Sequence, residues 1–160
     1  MFLSVGTNLG NKAENLKKAI EEIKDMAEII ACSSVYETAA FGIAEQPRFL
    51  NQVIEIKTVF GPLELLQRLQ DIEKCMGRIR TIKNGPRIID IDILFYGDKI
   101  IHTELVTIPH PSIVKRSSVL IPLCDIAPDF LHPTEKKTIR EIVAFLPEEE
   151  KKRVVRLSHF

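Results

Sequence analysis

The sequence predicts an α+β fold of the ferredoxin-like kind, a βαββαβ sandwich in which one antiparallel sheet carries helices over one face. Three observations predict it. Four segments are rich in β-branched and apolar residues with strand-like alternation, around residues 2–6, 27–41, 49–60 and 88–96. Two segments, roughly 12–26 and 61–77, carry apolar residues at helical spacing. Along the chain these run strand, helix, strand, strand, helix, strand.

FLSVG (2–6) reads as a short strand. Leu16, Ala19, Ile20, Ile23 and Met26 mark one face of the first helix, with Asn11 as its N-cap. AEIIACSSVYETAAF carries strand signals, and AFGIAEQPR is a turn-rich loop. In FLNQVIEIKTVF, Phe49, Asn51 and Val53 alternate against Leu50, Gln52 and Ile54, the pattern of a long strand. GPLELLQRLQDIEKCMG opens on Pro62, suited to a first helical turn, and closes on Gly77, suited to a C-cap. RIRTIKNGPR is a basic loop, and IIDIDILFY is the next strand. YGDK then turns into a short strand, KII; a helix is expected around SSVLIPLCDIA and another after Thr138.

The 160 residues suffice for one domain, 1–160, and contain no repeat, low-complexity tract or dividing linker. Lys plus Arg equals Asp plus Glu, 22 each, which argues against bulk attraction to nucleic acid or an anionic membrane but does not exclude a local basic patch. No apolar run approaches the ~20 residues of a membrane span, and the start does not read as a signal peptide. Cys32, Cys75 and Cys124 are odd in number and lack a C-x-x-C pair, which predicts reduced, buried thiols and a cytoplasmic protein. No obligate protein partner is evident.

The chemistry concentrates in GPRIIDIDILFYG, residues 85–97. Period-two alternation puts Asp90 and Asp92 on one side and Ile89, Ile91, Ile93 and Phe95 on the other. Two carboxylates roughly 6–7 Å apart at the Cα level repel, so something positive is expected between them. Carboxylate oxygens suit Mg²⁺, which is commonly held by one or two protein carboxylates, waters and substrate phosphates. An arginine partner on a solvated edge strand fits a lone D-x-D as well. Upstream, Arg78, Arg80, Lys83 and Arg87 fall within ten residues, as cations for phosphate oxygens. Gly85-Pro86 is expected to aim Arg87 at the start of the strand. His110 lies between prolines in TIPHPS, and Arg116 follows six residues on. VGTNLG matches neither G-x-G-x-x-G nor the P-loop and reads as a strand-to-helix turn. Asn51, facing a pocket, would present donor and acceptor to a heterocycle edge.

These residues resemble 6-hydroxymethyl-7,8-dihydropterin pyrophosphokinase of folate biosynthesis. The likeness runs through SVGTNLGNKAENL, SSVYETAAFG, QPRFLNQV, IEKCMGRIR, NGPRIIDIDILFYG and IPHPSIVKRSSVLIPLCDIAP, with G-P-R-x-x-D-x-D-I-L the specific stretch. The resemblance implies pyrophosphate transfer from ATP to the pterin's hydroxymethyl oxygen, with release of AMP and two Mg²⁺ ions bound with ATP. It implies Asp90 and Asp92 as metal ligands and Arg78 and Arg87 as catalytic arginines. Gln70, Arg80, Lys83, Thr107, His110 and Arg116 would contact ATP, and Thr38, Phe49 and Asn51 the pterin. Glu73 matches an acid with a structural or nucleotide-related role. From the residues themselves, a glycine at each end, Gly77 and Gly85, and the cations between them predict that 78–86 is mobile and orders over bound ATP and pterin. Lys83-Asn84, Leu105, Pro111 and Ser118 depart from residues found in some members.

Two other readings remain. A two-metal nucleotidyl-transferase or cyclase palm also pairs carboxylates on such a sheet. A non-enzymatic RRM-like module requires aromatics on a central strand, where this chain has Asp90 and Asp92.

Overall fold

The computed structural model describes residues 1–40, 46–79 and 85–158. In chain order it runs β1 (Phe2–Thr7), α1 (Lys12–Lys24), β2 (Glu28–Cys32), β3 (Tyr36–Thr38), β4 (Phe49–Lys57), α2 (Pro62–Cys75) and β5 (Asp90–Phe95). There follow β6 (Ile101–His102), β7 (Thr107–Ile108), α3 (Ser117–Ile126), α4 (Ile139–Ala144), α5 (Glu148–Lys152) and β8 (Val154–Arg156). The main sheet has the order β5-β1-β4-β3-β8, with β2 also pairing β4, every pairing antiparallel. β2 and β3 together act as one interrupted strand, so the expected βαββαβ arrangement is present as the body of an α+β fold.

Local chemistry sets the two long helices. Asn11 caps α1, its Oδ1 accepting the Glu14 N–H. Pro62 occupies the first turn of α2. At the far end Gly77 takes φ +87°, its N–H donating to the Lys74 carbonyl and that of Arg78 to the Glu73 carbonyl. That pair of bonds is a Schellman turn.

α1 and α2 cover one sheet face, where Leu16, Ile23, Leu65 and Leu69 pack on Leu3, Val5, Ile54, Ile91 and Ile93. The other face is not open, as the sequence led us to expect. α3 and α4 bury part of it with Val119, Leu120, Leu123, Ile139 and Ile142 against Phe2, Val53 and Leu94. Phe95 also departs from expectation and joins this second core. The β1–β5 register slips between Phe2 and Leu3, which oppose Phe95 and Ile93, so the irregularity turns Phe95 to the same face as Leu94. Phe2 meets Phe95 and Phe130 edge-on, and Phe95 and Phe130 are tilted at 57° to each other.

Other differences are local. α1 ends at Lys24, β6 is Ile101–His102 and not KII, and β7, α5 and β8 have no counterpart in the sequence reading. The thiols of Cys32 and Cys75 are exposed and Cys124 is intermediate; all three are free, so they are unpaired but not buried. Among the described residues no helix is long and apolar enough to cross a membrane.

Candidate functional site

The uncovered part of the second face is a cleft between the sheet and the start of α3. Asp90 lies opposite Gly6 on β1, and Gly6 opposite Asn51 on β4; Asp92 lies opposite Ser4. Asp90 and Asp92 therefore share a face, as period-two alternation required. Thr38, Phe49, Asn51, Arg87, Asp90, Asp92 and Arg116 all line this cleft, together with Ser4, Gly6 and Ser118. Asn51 Nδ2 donates to Thr38 Oγ1 at 2.7 Å. Gly6 is needed for close approach, since a Cβ there would lie 2.8 Å from Asn51 Oδ1.

The positive charge expected beside the aspartates is arginine. The Schellman turn after α2 sends Arg78 back across the helix end, where its guanidinium bridges Glu73 and Asp90, 2.6 Å from Asp90 Oδ1. Arg87 meets the other oxygen, Nη2 to Asp90 Oδ2 at 2.8 Å. Its Nη1 donates to the Gly85 carbonyl, and its guanidinium lies 5.1 Å from the centre of the Phe49 ring. Asn8, buried at the end of β1, brackets Arg87 by accepting its N–H and donating its own N–H to the Arg87 carbonyl. The Asn8 side chain also donates to the Pro47 carbonyl. Burial opposes the Arg78 charge, but Asp90 and Glu73 outweigh it and raise the guanidinium pKa.

Asp92 is held less firmly. Arg116 approaches it to 3.7 Å and His110 Nε2 to 3.9 Å. Burial raises the Asp92 pKa, and the Asp90 charge adds to this, against His110, Arg116 and Arg87. Burial likewise lowers the His110 pKa, helped by Arg116 and opposed by Asp92. His110 Nδ1 accepts the Ser112 N–H, which leaves Nε2 facing Asp92.

Arg78 and His110 reach the aspartates without lining the cleft, and Gln70 on α2 and Thr107 on β7 do not line it either. Arg80, Lys83 and Asn84, with most of the expected closing loop, lie outside the described residues. Leu105 is 74% exposed. Sequence reasoning passed over Ser4, Gly6 and Asn8. The strand-to-helix turn in VGTNLG was the visible signal; the side-chain bonds from Asn8 were not.

A hard divalent cation suits the donor set. Asp90 and Asp92 offer carboxylate oxygens into one polar cleft, and among the described residues no three His, Cys, Asp or Glu side chains gather to hold a metal. Such a site fits an ion that takes its remaining ligands from substrate phosphate and water, as Mg²⁺ does.

The family model described as 7,8-dihydro-6-hydroxymethylpterin-pyrophosphokinase (HPPK) matches residues 2–128. A 2-amino-4-hydroxy-6-hydroxymethyldihydropteridine pyrophosphokinase of Aquifex aeolicus is 42% identical over 148 residues, 92% of this chain and 91% of the relative. The mitochondrial folate synthesis bifunctional protein of Pisum sativum is 42% identical over 127 residues, 79% of this chain but 25% of that protein. A crystal structure of Plasmodium falciparum HPPK-DHPS with pterin and p-hydroxybenzoate superposes with a TM-score of 0.75 at 20% identity, over 97% of this chain and 46% of that one. The chain thus spans less than half of that larger protein, and the likeness to it concerns the fold alone.

Proposed function

Because the chain belongs to the 7,8-dihydro-6-hydroxymethylpterin-pyrophosphokinase family, we infer that it transfers pyrophosphate from ATP to the hydroxymethyl group of 6-hydroxymethyl-7,8-dihydropterin, in folate biosynthesis. The pterin hydroxyl oxygen attacks the β-phosphorus of ATP, the bond from that phosphorus to the oxygen shared with the α-phosphate breaks, AMP leaves with that oxygen, and the hydroxyl proton passes to solvent. One observation of the site supports this most: Asp90 and Asp92 face the same cleft as Thr38, Phe49 and Asn51. The cleft thus combines a cation-binding pair with a pocket wall suited to a flat heterocycle.

The reaction uses ATP with a divalent metal. Two Mg²⁺ ions held by Asp90 and Asp92 are part of the proposal, and when bound they would neutralise charge on the phosphates. Arg78 and Arg87 are placed to meet charge developing on the transferred group. Arg116 and His110 are assigned to ATP, as are Gln70, Arg80, Lys83 and Thr107 on the family likeness alone. Thr38 and Asn51 are assigned to the polar edge of the pterin and Phe49 to its face. Positioning and charge stabilisation supply the rate enhancement without an assigned general base. Residues 1–160 act as one domain, both cores being built on the same sheet. The protein works in the cytoplasm, to which its three free thiols are suited.

Purified protein with ATP, Mg²⁺ and the hydroxymethyl-dihydropterin is expected to release AMP, and to release far less without the pterin. Equal AMP with and without pterin, or release of free pyrophosphate as a nucleotidyl-transferase or cyclase palm predicts, would sink this reading. Gly6→Ala is expected to weaken pterin binding about tenfold, the loss of roughly one hydrogen bond as Asn51 is pushed aside. Fluorescence titration with pterin, beside a titration with an ATP analogue that changes less, checks this.

A further inference from the structure

We propose that Glu73 is a positioning residue that keeps Arg78 from competing with a divalent cation for Asp90. The inference rests on the pyrophosphokinase reading for the presence of that cation.

Four charges meet at the end of the cleft. Arg78 bridges Glu73 and Asp90, and Asp90 also takes Arg87 at 2.8 Å. Arg78 thus lies between two carboxylates, only one of which is needed for metal. Glu73 itself is fixed. β5 is the end strand of the sheet, and the Ile91 N–H, between the two aspartates, donates to Glu73 Oε1 at 2.7 Å. The Glu73 side chain is 4% exposed, and its backbone carbonyl accepts the Arg78 N–H of the Schellman turn. The carboxylate therefore does not follow Arg78 toward Asp90.

A metal ion and a guanidinium are like charges seeking the same carboxylate. With a cation on Asp90, Arg78 would be repelled from that carboxylate and would retain Glu73 as its counter-ion. If Glu73 loses its charge, Asp90 becomes the main carboxylate partner of Arg78 and the metal must displace an ion pair. Glu73 would then act on metal affinity through Arg78, without touching metal or substrate. A purely structural Glu73 would not require Arg78 for its effect, which is what the test exploits.

Glu73→Gln keeps an oxygen for the Ile91 N–H while removing the charge. The experiment titrates Mn²⁺ into protein saturated with a non-hydrolysable ATP analogue, following bound metal by electron paramagnetic resonance. Parent, E73Q, R78A and the double variant are compared, with thermal melts beside them. E73Q is expected to bind Mn²⁺ about tenfold more weakly, R78A as tightly as the parent or several-fold tighter, and the double variant like R78A. An unchanged E73Q, or a loss that persists in the double variant, overturns the inference. Should E73Q not fold, R78A decides alone: metal binding as tight as the parent's or tighter supports the inference, and weaker binding overturns it. A parent that binds no Mn²⁺ with the analogue overturns the pyrophosphokinase reading together with this inference, whereas a binding parent beside an unaltered E73Q overturns only the latter.

Discussion

Asp90→Asn and Asp92→Asn are each expected to remove most pyrophosphate transfer, on the order of 10³-fold or more, while only Asp90→Asn lowers thermal stability. The activity loss follows from the metal: several kcal/mol of charge stabilisation correspond to roughly that factor. The split in stability follows from the partners. Asp90 is ion-paired on both oxygens, with Arg78 at 2.6 Å and Arg87 at 2.8 Å. Neutralising it leaves two partly buried guanidinium groups short of a counter-charge, a loss of about 1–3 kcal/mol. Asp92 has weaker compensation, with the Arg116 guanidinium at 3.7 Å and the His110 ring nitrogen at 3.9 Å, and it feels the Asp90 charge across the strand face. Removing its charge relieves repulsion, so Asp92→Asn is expected to melt at or above the parent temperature without ligand. Adding Mg²⁺ with an ATP analogue should raise the melting temperature of the parent by mass action and that of both variants much less. Melts with and without ligand, alongside the AMP assay, check all of this. Near-parent turnover in either variant would remove the pair from the metal site.

The sequence expectation that two same-face carboxylates need a positive partner was sound, since arginines approach both. Asp90 takes arginine in this structure, and the family membership brings a divalent cation with ATP. The pair itself was legible because strand periodicity admits no other arrangement for residues two apart. Arg87 was legible too, since Gly85-Pro86 leaves it few directions. Glu73 was harder. Its partner at Ile91 is a backbone amide on the edge of the sheet 18 residues away, and nothing in side-chain type announces a backbone partner. The turn that brings Arg78 beside it could be read from Gly77, but only once the helix end was fixed.

The same contrast runs through the fold. α2 was readable from Pro62 and Gly77, and β4 from its alternation, because local chemistry and tertiary burial agree there. Phe95 was not, because one register slip overrides strict alternation. The covered second face was missed for a related reason. Val53 and Leu94 alternate correctly, but only the packing of α3 and α4 shows which stretch of that face is roofed and which is left as the cleft. β8 has three residues and takes its place by pairing with β3, a contact its own short sequence does not signal.

Arg78→Ala and Arg87→Ala are expected to lower kcat on the order of 10²–10⁴-fold while weakening ATP binding far less. Both guanidinium groups are already engaged, Arg78 with Glu73 and Asp90 and Arg87 with Asp90 and the Gly85 carbonyl. Ground-state phosphate must compete with those partners, so a large share of the arginine contribution is realised only as charge develops on the transferred group. Interactions made only in the transition state appear in kcat and not in substrate affinity. Arg87 should show the sharper split. Asn8 pins its backbone on both sides and its guanidinium lies against Phe49, so truncation removes a preorganised donor without freeing the chain. Arg78→Ala also relieves competition at Asp90, so its loss in kcat is accompanied by equal or tighter metal binding. Steady-state kinetics over ATP and pterin, beside equilibrium binding of an ATP analogue, separate the two parameters. If kcat holds and only KM for ATP rises, these arginines bind the ground state and the charge developing on the transferred phosphoryl group is met elsewhere.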